Sequence, residues 1–355
     1  MTRLVFFLAF LVAAAASAQD YDSQIEVVAA LDVAPGNITH TPDGRTFISL
    51  HQFYEPEHAV AELLPGGELR QLPRTHTLPT SREVTLDAVL GLQADAEGTL
   101  WLLDNGGASP ELFAYDTGKD RMMRVFPLPV VEGSFVNDLA VDIERRTVYI
   151  ADPAGDLSAL IVVDTRDGHA RRVLQGHRSV VPEPIDMLID GRMLRITRPD
   201  GSQALARIGV DPIALSADGD WLYFGPMTGR TLHRVPTVAL RDRERTPYAL
   251  ANAVEVYAER PACDGISTDV EGNIYISDIE AHAIGVVDAE RNYRRLVTDP
   301  RLSWPDAFSF GPDGWLHVVA NQLHHSPPLN GGLDASTPPY LVLRMRPLAS
   351  GVVGR

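Results

Sequence analysis

Short stretches in which apolar and polar residues alternate recur along the 355-residue chain, each following a turn rich in Asp, Glu and Gly. In one of them, residues 271–272 form the turn and residues 273–278 follow it with the sequence NIYISD. An alternation with a period of two indicates a half-buried β-strand, and long apolar stripes with helical spacing are nearly absent. The pattern therefore predicts an all-β protein.

The same unit occurs six times. Each copy has a short strand, a turn and a second strand with aromatic or β-branched residues, and most copies are followed by an apolar third strand and a short fourth one. The copies start 42 to 74 residues apart and occupy residues 36–50, 90–104, 137–152, 211–226, 264–278 and 306–321. Four antiparallel strands repeated in this way are typical of propeller blades. We therefore predict a single-domain, six-bladed β-propeller with four-stranded antiparallel blades.

Closure of such a ring must join the two ends of the sequence. Residues 340–347, YLVLRMRP, can supply the third strand of the sixth blade, and the β-prone segment 23–33 precedes the first copy. We expect segment 23–33 to be the outer strand of the last blade. The longest interval between copies contains residues 176–204, which we interpret as an additional outer strand pair with a loop.

The first residues have the pattern of a secretory signal peptide. Arg3 precedes an apolar run from Leu4 to Ala16, and the small residues 16–18 form a cleavage site. The predicted organisation is a signal peptide, residues 1–18, and a propeller domain, residues 19–355. The residue directly after the cleavage site is Gln19 and not a cysteine that could carry a lipid anchor. We expect a secreted or periplasmic protein that does not insert into a membrane once the signal is removed.

Charge narrows the choice of partners. Asp plus Glu outnumber Lys plus Arg by 47 to 31, which gives a formal net charge of −16. Such a balance argues against nucleic acid and anionic lipid and favours cations, amines or neutral small molecules. The single cysteine, Cys263, excludes an internal disulfide framework. Its neighbour Asp264 would raise the pKa of the thiol, so we expect a buried small residue and not a nucleophile.

Three long segments resemble the major royal jelly protein and yellow family, and they occur in the family's order. They read SFVNDLAVD…VYIADPAGDLSALIVVD, GVDPIALSADGDWLYFGPMTGRTLHRVPTVALRD and WPDAFSFGPDGWLHVVANQLHHSPPLNGG. The resemblance implies a secreted six-bladed propeller that, in some members, binds small amine or indole-type ligands in the central tunnel. Some yellow proteins are associated with the tautomerisation of dopachrome. Insect members usually carry disulfides, so a chain with one cysteine is similar to a bacterial-type member.

A more distant similarity is to the gluconolactonase and senescence-marker-protein propellers. That group holds a divalent metal with a Glu and polar residues at the starts of inner strands. By this similarity Asn137, Asp211 and Asp264 occupy such positions, whereas Gly36 and Asn37 stand where the group has Glu. With Asp306 they form a candidate oxygen ligand set for Ca²⁺ or Mg²⁺.

Propeller geometry should bring the polar residues at the starts of the inner strands to one mouth of the channel, together with the loops that follow the second strands. The candidate ligand-binding residues are Asn137, Asp138, Asp211, Asp264, Asp306, Tyr54, Asn105, Asn321 and His324. The candidates for proton transfer are Asp264, Asp211 and His51. Acids in a channel mouth attract cations, but an Asp at a strand start can also simply cap a turn by accepting backbone N–H groups.

Three functions are compatible with this sequence. The first is a propeller that binds a small cationic or aromatic ligand at the channel mouth, with Tyr54 or Trp304 beside the acids and with dopachrome-tautomerase-like isomerase activity as an extension. The second is a divalent-metal-dependent lactonase. The third is an interaction propeller without a small ligand, since one fold carries many functions.

Overall fold

The structure is a computed structural model that describes residues 25–198 and 200–355. The predicted signal peptide lies outside the described residues. Almost all regular structure is β, and the main strands form six antiparallel sheets of four strands each. The predicted six-bladed propeller is therefore confirmed.

The strands are numbered along the chain. Strand β1 is Glu26–Leu31, and blade 1 contains β2 Pro35–His40, β3 Thr46–Leu50, β4 Val60–Leu63 and β5 Leu69–Gln71. A small hairpin of β6 Thr75–Thr77 and β7 Glu83–Thr85 precedes blade 2, which contains β8 Val89–Ala94, β9 Thr99–Asp104, β10 Glu111–Asp116 and β11 Arg121–Pro127. Blade 3 contains β12 Leu139–Asp142, β13 Thr147–Asp152, β14 Ala159–Asp164 and β15 Ala170–Val173.

Two short hairpins follow blade 3, formed by β16 Leu188–Ile189 with β17 Arg192–Met193 and by β18 Arg195–Thr197 with β19 Gln203–Leu205. Blade 4 contains β20 Val210–Leu215, β21 Trp221–Pro226, β22 Thr231–Pro236 and β23 Glu255–Glu259, with helices α1 Thr237–Arg241 and α2 Pro247–Ala251 before its last strand. Blade 5 contains β24 Cys263–Thr268, β25 Ile274–Asp278, β26 Ala283–Val287 and β27 Tyr293–Thr298. Blade 6 contains β28 Pro305–Phe310, β29 Leu316–Ala320 and β30 Tyr340–Met345.

The first strand of each blade lines the central channel. Strands β2, β8, β12, β20, β24 and β28 contact one another in this order, and β28 contacts β2 to close the ring. Aromatic residues pack between neighbouring blades: the rings of Tyr275 and Phe310 meet edge to face with centroids 5.8 Å apart. This packing fixes the angle between blades and hence the positions of the strand starts.

Blade 6 is completed by the N-terminal strand, as the sequence predicts. Strand β1 pairs antiparallel with β30, so that Leu31 lies opposite Tyr340. An ion pair of 2.7 Å between Glu26 and Arg344 joins the two strands at their other end.

The insertion, residues 176–204, is not the outer strand pair that we expected. Its two hairpins lie over one mouth of the channel, where Met187, Ile189 and Leu194 are buried against Trp304 and Leu323. The physical reason is that these apolar side chains need an apolar partner surface, which Trp304 and Leu323 supply at the channel mouth. The insertion therefore covers the mouth.

The far end of the channel is crossed by residues 351–355. Val353 bridges to Phe310 in parallel, and the Gly354 N–H donates to the Phe310 carbonyl over 3.0 Å. The Arg355 guanidinium donates to the carbonyls of Ser216 and Val141. Among the described residues no helix has both the length and the apolar character needed to cross a bilayer.

Candidate functional site

Backbone irregularities aim the first polar residues of the inner strands into the channel. In five blades the pairing register between the first two strands shifts at the start of the inner strand. In blade 5 the shift lies between Cys263 and Ile266. The Ser277 hydroxyl accepts hydrogen bonds from the backbone N–H groups of Asp264, at 3.0 Å, and Gly265, at 2.9 Å. The bulge is thereby satisfied, and it re-aims Asp264 out of the pleat.

Blades 5 and 6 approach closely at this point. A Cβ atom on Gly265 would lie 2.3 Å from the backbone oxygen of Asp306, so only glycine is tolerated there. This contact brings the starts of β24 and β28 together and places Asp264 and Asp306 at the same end of the channel.

A cavity of about 180 Å³ lies between this end of the channel and the insertion. Its floor is polar, whereas its walls are apolar and partly aromatic. The floor residues are Asn137, Asp211, Asp264, Asp306 and His51. The wall residues are Phe53, Leu90, Phe135, Pro153, Ile196, Ile208, Met227, Trp304, Leu323, Pro328 and Leu329.

Asp264 is held by Trp304. The indole Nε1–H donates a hydrogen bond of 2.6 Å to Asp264 Oδ2, and both residues are buried. Trp304 has a φ of +56°, a left-handed conformation that a bulky residue rarely adopts. Such strain persists only where the surroundings impose it, and it is commonest at functional sites.

Asp306 is held by Asn321. The Asn321 amide donates to Asp306 Oδ2 over 2.7 Å and to the Pro35 carbonyl over 3.1 Å. Asn321 is fully buried and is absent from the cavity lining. It therefore positions Asp306 and does not itself face the cavity.

Asp211 has an unmet acceptor. It is 1% exposed, and its Oδ2 atom is buried with no hydrogen-bond partner among the described residues. A buried carboxylate oxygen without a partner costs free energy on the order of 1–3 kcal/mol. In a cavity, this atom is a ready acceptor for a ligand that carries N–H or O–H groups.

Burial dominates the electrostatics of the floor. It raises the pKa of Asp264 to about 7, against the opposing effect of the hydrogen bond from Trp304. Burial also raises the pKa values of Asp211 and Asp306 well above the usual range, and the negative charge of Asp264 contributes to both. Closely spaced carboxylates in a dry site cannot all ionise at low cost. The floor therefore retains protons near neutral pH.

His51 is a neutral residue at this floor. Burial lowers its pKa to about 3. Its Nδ1 atom accepts a hydrogen bond of 3.2 Å from the Phe53 N–H, so the proton of the neutral ring lies on Nε2. His51 therefore has no free basic nitrogen for proton abstraction.

The remaining predicted residues lie outside the cavity. Asp138 faces the narrower channel below, where Asn37 donates to its Oδ1 atom over 3.1 Å. Tyr54 ties two loops together by donating to the carbonyl of Asn321 over 2.8 Å. Asn105 donates to the Val136 carbonyl. Asn137 and Asp138 are adjacent, and successive side chains of an extended segment point in opposite directions, so both could not line the same cavity.

His324 also lies outside the cavity, on the 3₁₀-helix Leu323–His325. Its ring stacks on the indole of Trp304, with centroids 5.9 Å apart and an interplanar angle of 12°. Burial lowers the pKa of His324 to about 4, and neighbouring His325 contributes to this shift.

Sequence reasoning missed most of the apolar walls. Phe53 and Phe135 meet with ring centroids 5.8 Å apart, and Ile196 comes from the insertion. The available signal was the apolar content of the insertion, which an outer strand pair exposed to solvent would not require.

The floor does not fit a hard cation held by three carboxylates. Within residues 25–198 and 200–355, no three of the channel acids place their oxygens within 4.8 Å of one another. Calcium takes six to eight oxygen ligands, and the side chains of Asn137 and Asp211 alone do not supply such a set.

Comparisons with known proteins bear on the fold and the family. A sequence model of the family described as "Major royal jelly protein" matches residues 88–327, more than half of the chain. None of the curated proteins matches this chain in sequence.

Solved structures share the fold. A calcium-binding protein, regucalcin, from Agrobacterium tumefaciens is 14% identical, with 94% of this chain and 98% of that chain covered and a TM-score of 0.54. A gluconolactonase from Xanthomonas campestris is 13% identical, covers 91% and 89%, and has a TM-score of 0.56. Virginiamycin B lyase from Staphylococcus aureus is 13% identical, covers 92% and 99%, and has a TM-score of 0.52. At identities this low, the structural similarity shows a common fold alone. The chemistry of the site has to be argued from the residues of this chain.

Proposed function

This chain belongs to the major royal jelly protein family, and we propose that its covered cavity binds a small aromatic cation of the arylalkylamine class. The observation that carries the proposal is the unpartnered Oδ2 atom of Asp211, buried at the floor of a cavity with apolar walls. An ammonium group has three donors and no acceptor, so it matches a floor that offers carboxylate oxygens.

The walls suit the apolar part of such a ligand. Phe53, Phe135 and Trp304 present aromatic surface above the acids. A cavity of about 180 Å³ is smaller than the ~300–1,000 Å³ of sites for drug-sized ligands. It therefore suits one or two fused rings with a short side chain. Aromatic walls also attract a cation through their ring faces.

The protonation state of the floor determines the energetics. A cation entering the cavity lowers the pKa values of Asp211, Asp264 and Asp306, which burial has raised. Binding therefore releases a proton and replaces it with the ammonium group. This exchange avoids the cost of an isolated buried charge.

The test is a calorimetric titration of the mature protein with matched ligands. We expect tryptamine and 2-phenylethylamine to bind saturably, the corresponding alcohols to bind at least about tenfold more weakly, since one charge-assisted hydrogen bond contributes ~1.5–3 kcal/mol, and phenylacetate not to bind. Equal affinity for amine, alcohol and carboxylate would refute the proposal. Absence of binding by all of them would favour the interaction propeller.

A second candidate is proton transfer on a ligand of the same class, such as the tautomerisation of an aminochrome. Asp264 favours it, because a carboxyl group with a pKa of about 7 can give and take a proton near neutral pH. The spectrophotometric conversion of dopachrome by wild-type protein and by Asp264→Asn tests it. A rate that does not depend on Asp264 would exclude this role.

The metal-dependent lactonase is less well supported by the geometry. The relatives in fold include a gluconolactonase and a calcium-binding protein, but the acids here are not gathered into a single oxygen ligand set. We expect millimolar Ca²⁺ or Mg²⁺ to leave the thermal midpoint unchanged. A saturable rise that Asp211→Asn abolishes would reinstate the lactonase.

A further inference from the structure

Outside the cavity, the fold brings one acid and three histidines together from three separate elements. Asp190 lies in the turn of the first hairpin of the insertion, His282 in the turn after β25, and His324 and His325 in the 3₁₀-helix after β29. His324 Nε2 lies 3.0 Å from Asp190 Oδ2, and His282 Nε2 lies 2.7 Å from Asp190 Oδ1.

Three of these residues have the geometry of metal ligands. Asp190, His324 and His325 each offer a ligand atom within 4.8 Å of the others, and within the described residues no other group of three or more His, Cys, Asp or Glu does so. The rings of His324 and His325 lie with centroids 3.9 Å apart.

The histidines also have unused binding capacity. The Nδ1 atoms of His324 and His325 are both buried and have no hydrogen-bond partner. His324 is only 8% exposed, so water does not readily satisfy its ring. A buried polar atom without a partner requires an explanation, and a bound ion is one that accounts for both rings together.

We propose that Asp190, His324 and His325 form a binding site for a zinc-class divalent cation that joins the insertion to blade 6. Two imidazole nitrogens and one carboxylate oxygen are ligands that Zn²⁺ prefers, whereas Ca²⁺ and Mg²⁺ prefer oxygen alone. Three protein ligands leave one tetrahedral position open. The three residues line a cavity of about 420 Å³ together with Arg192 and Arg195, so there is room for water or a small anion to complete the coordination.

His282 is a positioning residue for this site. It accounts for one Asp190 oxygen by a hydrogen bond of 2.7 Å. A partner of this kind orients a ligating carboxylate, and its loss typically weakens metal binding about 10–100-fold.

The proposal is tested by titrating chelator-treated protein with Zn²⁺, Co²⁺ and Ca²⁺ in a calorimeter, with Co²⁺ also followed by visible absorption. We expect one Zn²⁺ per chain, visible Co²⁺ bands of four-coordinate geometry, and no Ca²⁺ binding at these residues. Asp190→Asn and His325→Gln should lose Zn²⁺ affinity by more than about tenfold. The matched control is His169→Gln, which removes an exposed histidine of blade 3 and should bind as the wild type does.

Misfolding does not confound this test. Asp190 has a φ of +50°, a conformation that Asn also tolerates, and Asp190 and His325 are less buried than His324. Unchanged thermal midpoints of the metal-free variants establish that they fold. Wild-type protein without saturable Zn²⁺ binding, or folded variants that bind Zn²⁺ as tightly as the wild type, would overturn the proposal.

Discussion

Trp304 and His324 form a stacked pair, with ring centroids 5.9 Å apart and an interplanar angle of 12°. The same indole donates its N–H to Asp264 over 2.6 Å. Trp304 therefore contacts both the cavity floor and the histidine cluster. The indole therefore links the two sites through one side chain.

The first prediction concerns Asp264. Replacement by Asn keeps an acceptor for Trp304 but removes the negative charge, so arylalkylamine affinity should fall by at least about tenfold, as expected for losing a charge-assisted hydrogen bond. Isothermal titration with tryptamine measures this loss. The matched control is Asp95→Asn: Asp95 accepts a similar bond of 2.8 Å from Trp101, and neither residue lines the cavity. An equal loss of tryptamine affinity in the two variants would mean that the substitution acts through the stability of the fold and not through the binding site.

The second prediction concerns the pH dependence of binding. The floor must ionise to hold a cation, and burial raises the pKa of Asp264 to about 7. Amine affinity should therefore increase as pH rises from about 5.5 to 8, while the affinity for the neutral alcohol stays constant. Titrations in buffers of different ionisation enthalpy should show proton release. A pH-independent amine affinity would contradict the proton exchange.

The third prediction concerns stability. Because the pKa of Asp264 is higher in the folded chain than its usual value of 3.8, the folded state binds more protons between these pH values. The contribution of Asp264 to the free energy of unfolding is therefore fully present below pH 3.8 and is lost as pH rises through about 7. Asp264→Asn, which cannot ionise, should melt higher than the wild type at pH 8, and the two should converge near pH 4.

Buried histidines change the pH dependence of thermal stability in the opposite direction. Burial lowers the pKa values of His51 and His324, so their contribution is lost as pH falls through their folded values. Wild type and variant share these residues, and the difference between the two curves isolates Asp264. A variant that melts lower than the wild type at pH 8 would refute the assignment.

The fourth prediction concerns the support of the cavity wall. Arg172 pairs with Asp152, which is fully buried and also accepts a hydrogen bond of 2.9 Å from the backbone of Phe135. Arg172→Met leaves that carboxylate without its counter-ion and should cost about 3–5 kcal/mol in the free energy of unfolding. Urea denaturation measures the loss. Arg166→Met breaks an exposed pair with Asp164 in the same blade and should change stability little.

The fold was predictable because its signals are local. Each blade has its own turn and alternation, and the β-prone segment before the first copy had only one sheet left to join. Topology alone also indicated that Asp211, Asp264 and Asp306 lie at one end of the channel, where they line one cavity. Asp138 was expected beside them but faces the channel below.

The rest depended on contacts that no local pattern encodes. Asp190 contacts His324 although 134 residues separate them in sequence. No pattern in either segment predicts this contact. Tyr54 and Asn321 were expected to face a ligand but are used to hold loops and Asp306. A polar residue at the channel mouth can either face a ligand or hold a neighbouring loop or side chain. Which role it has depends on its burial, and that is known only once the position of the insertion is known.

The strand that completes blade 6 also sets the order of events during folding. Glu26 and Arg344 are 318 residues apart in sequence, so blade 6 cannot be completed until the chain has been made as far as β30. Blades 1 to 5 are each built from one continuous stretch of sequence, whereas blade 6 needs strands from both ends of the chain. Contacts of such long range slow folding because loop-closure entropy is lost before they form. We therefore expect the docking of β1 on β30 to come late in folding, and a chain truncated before β30 to lack the two outer strands of blade 6.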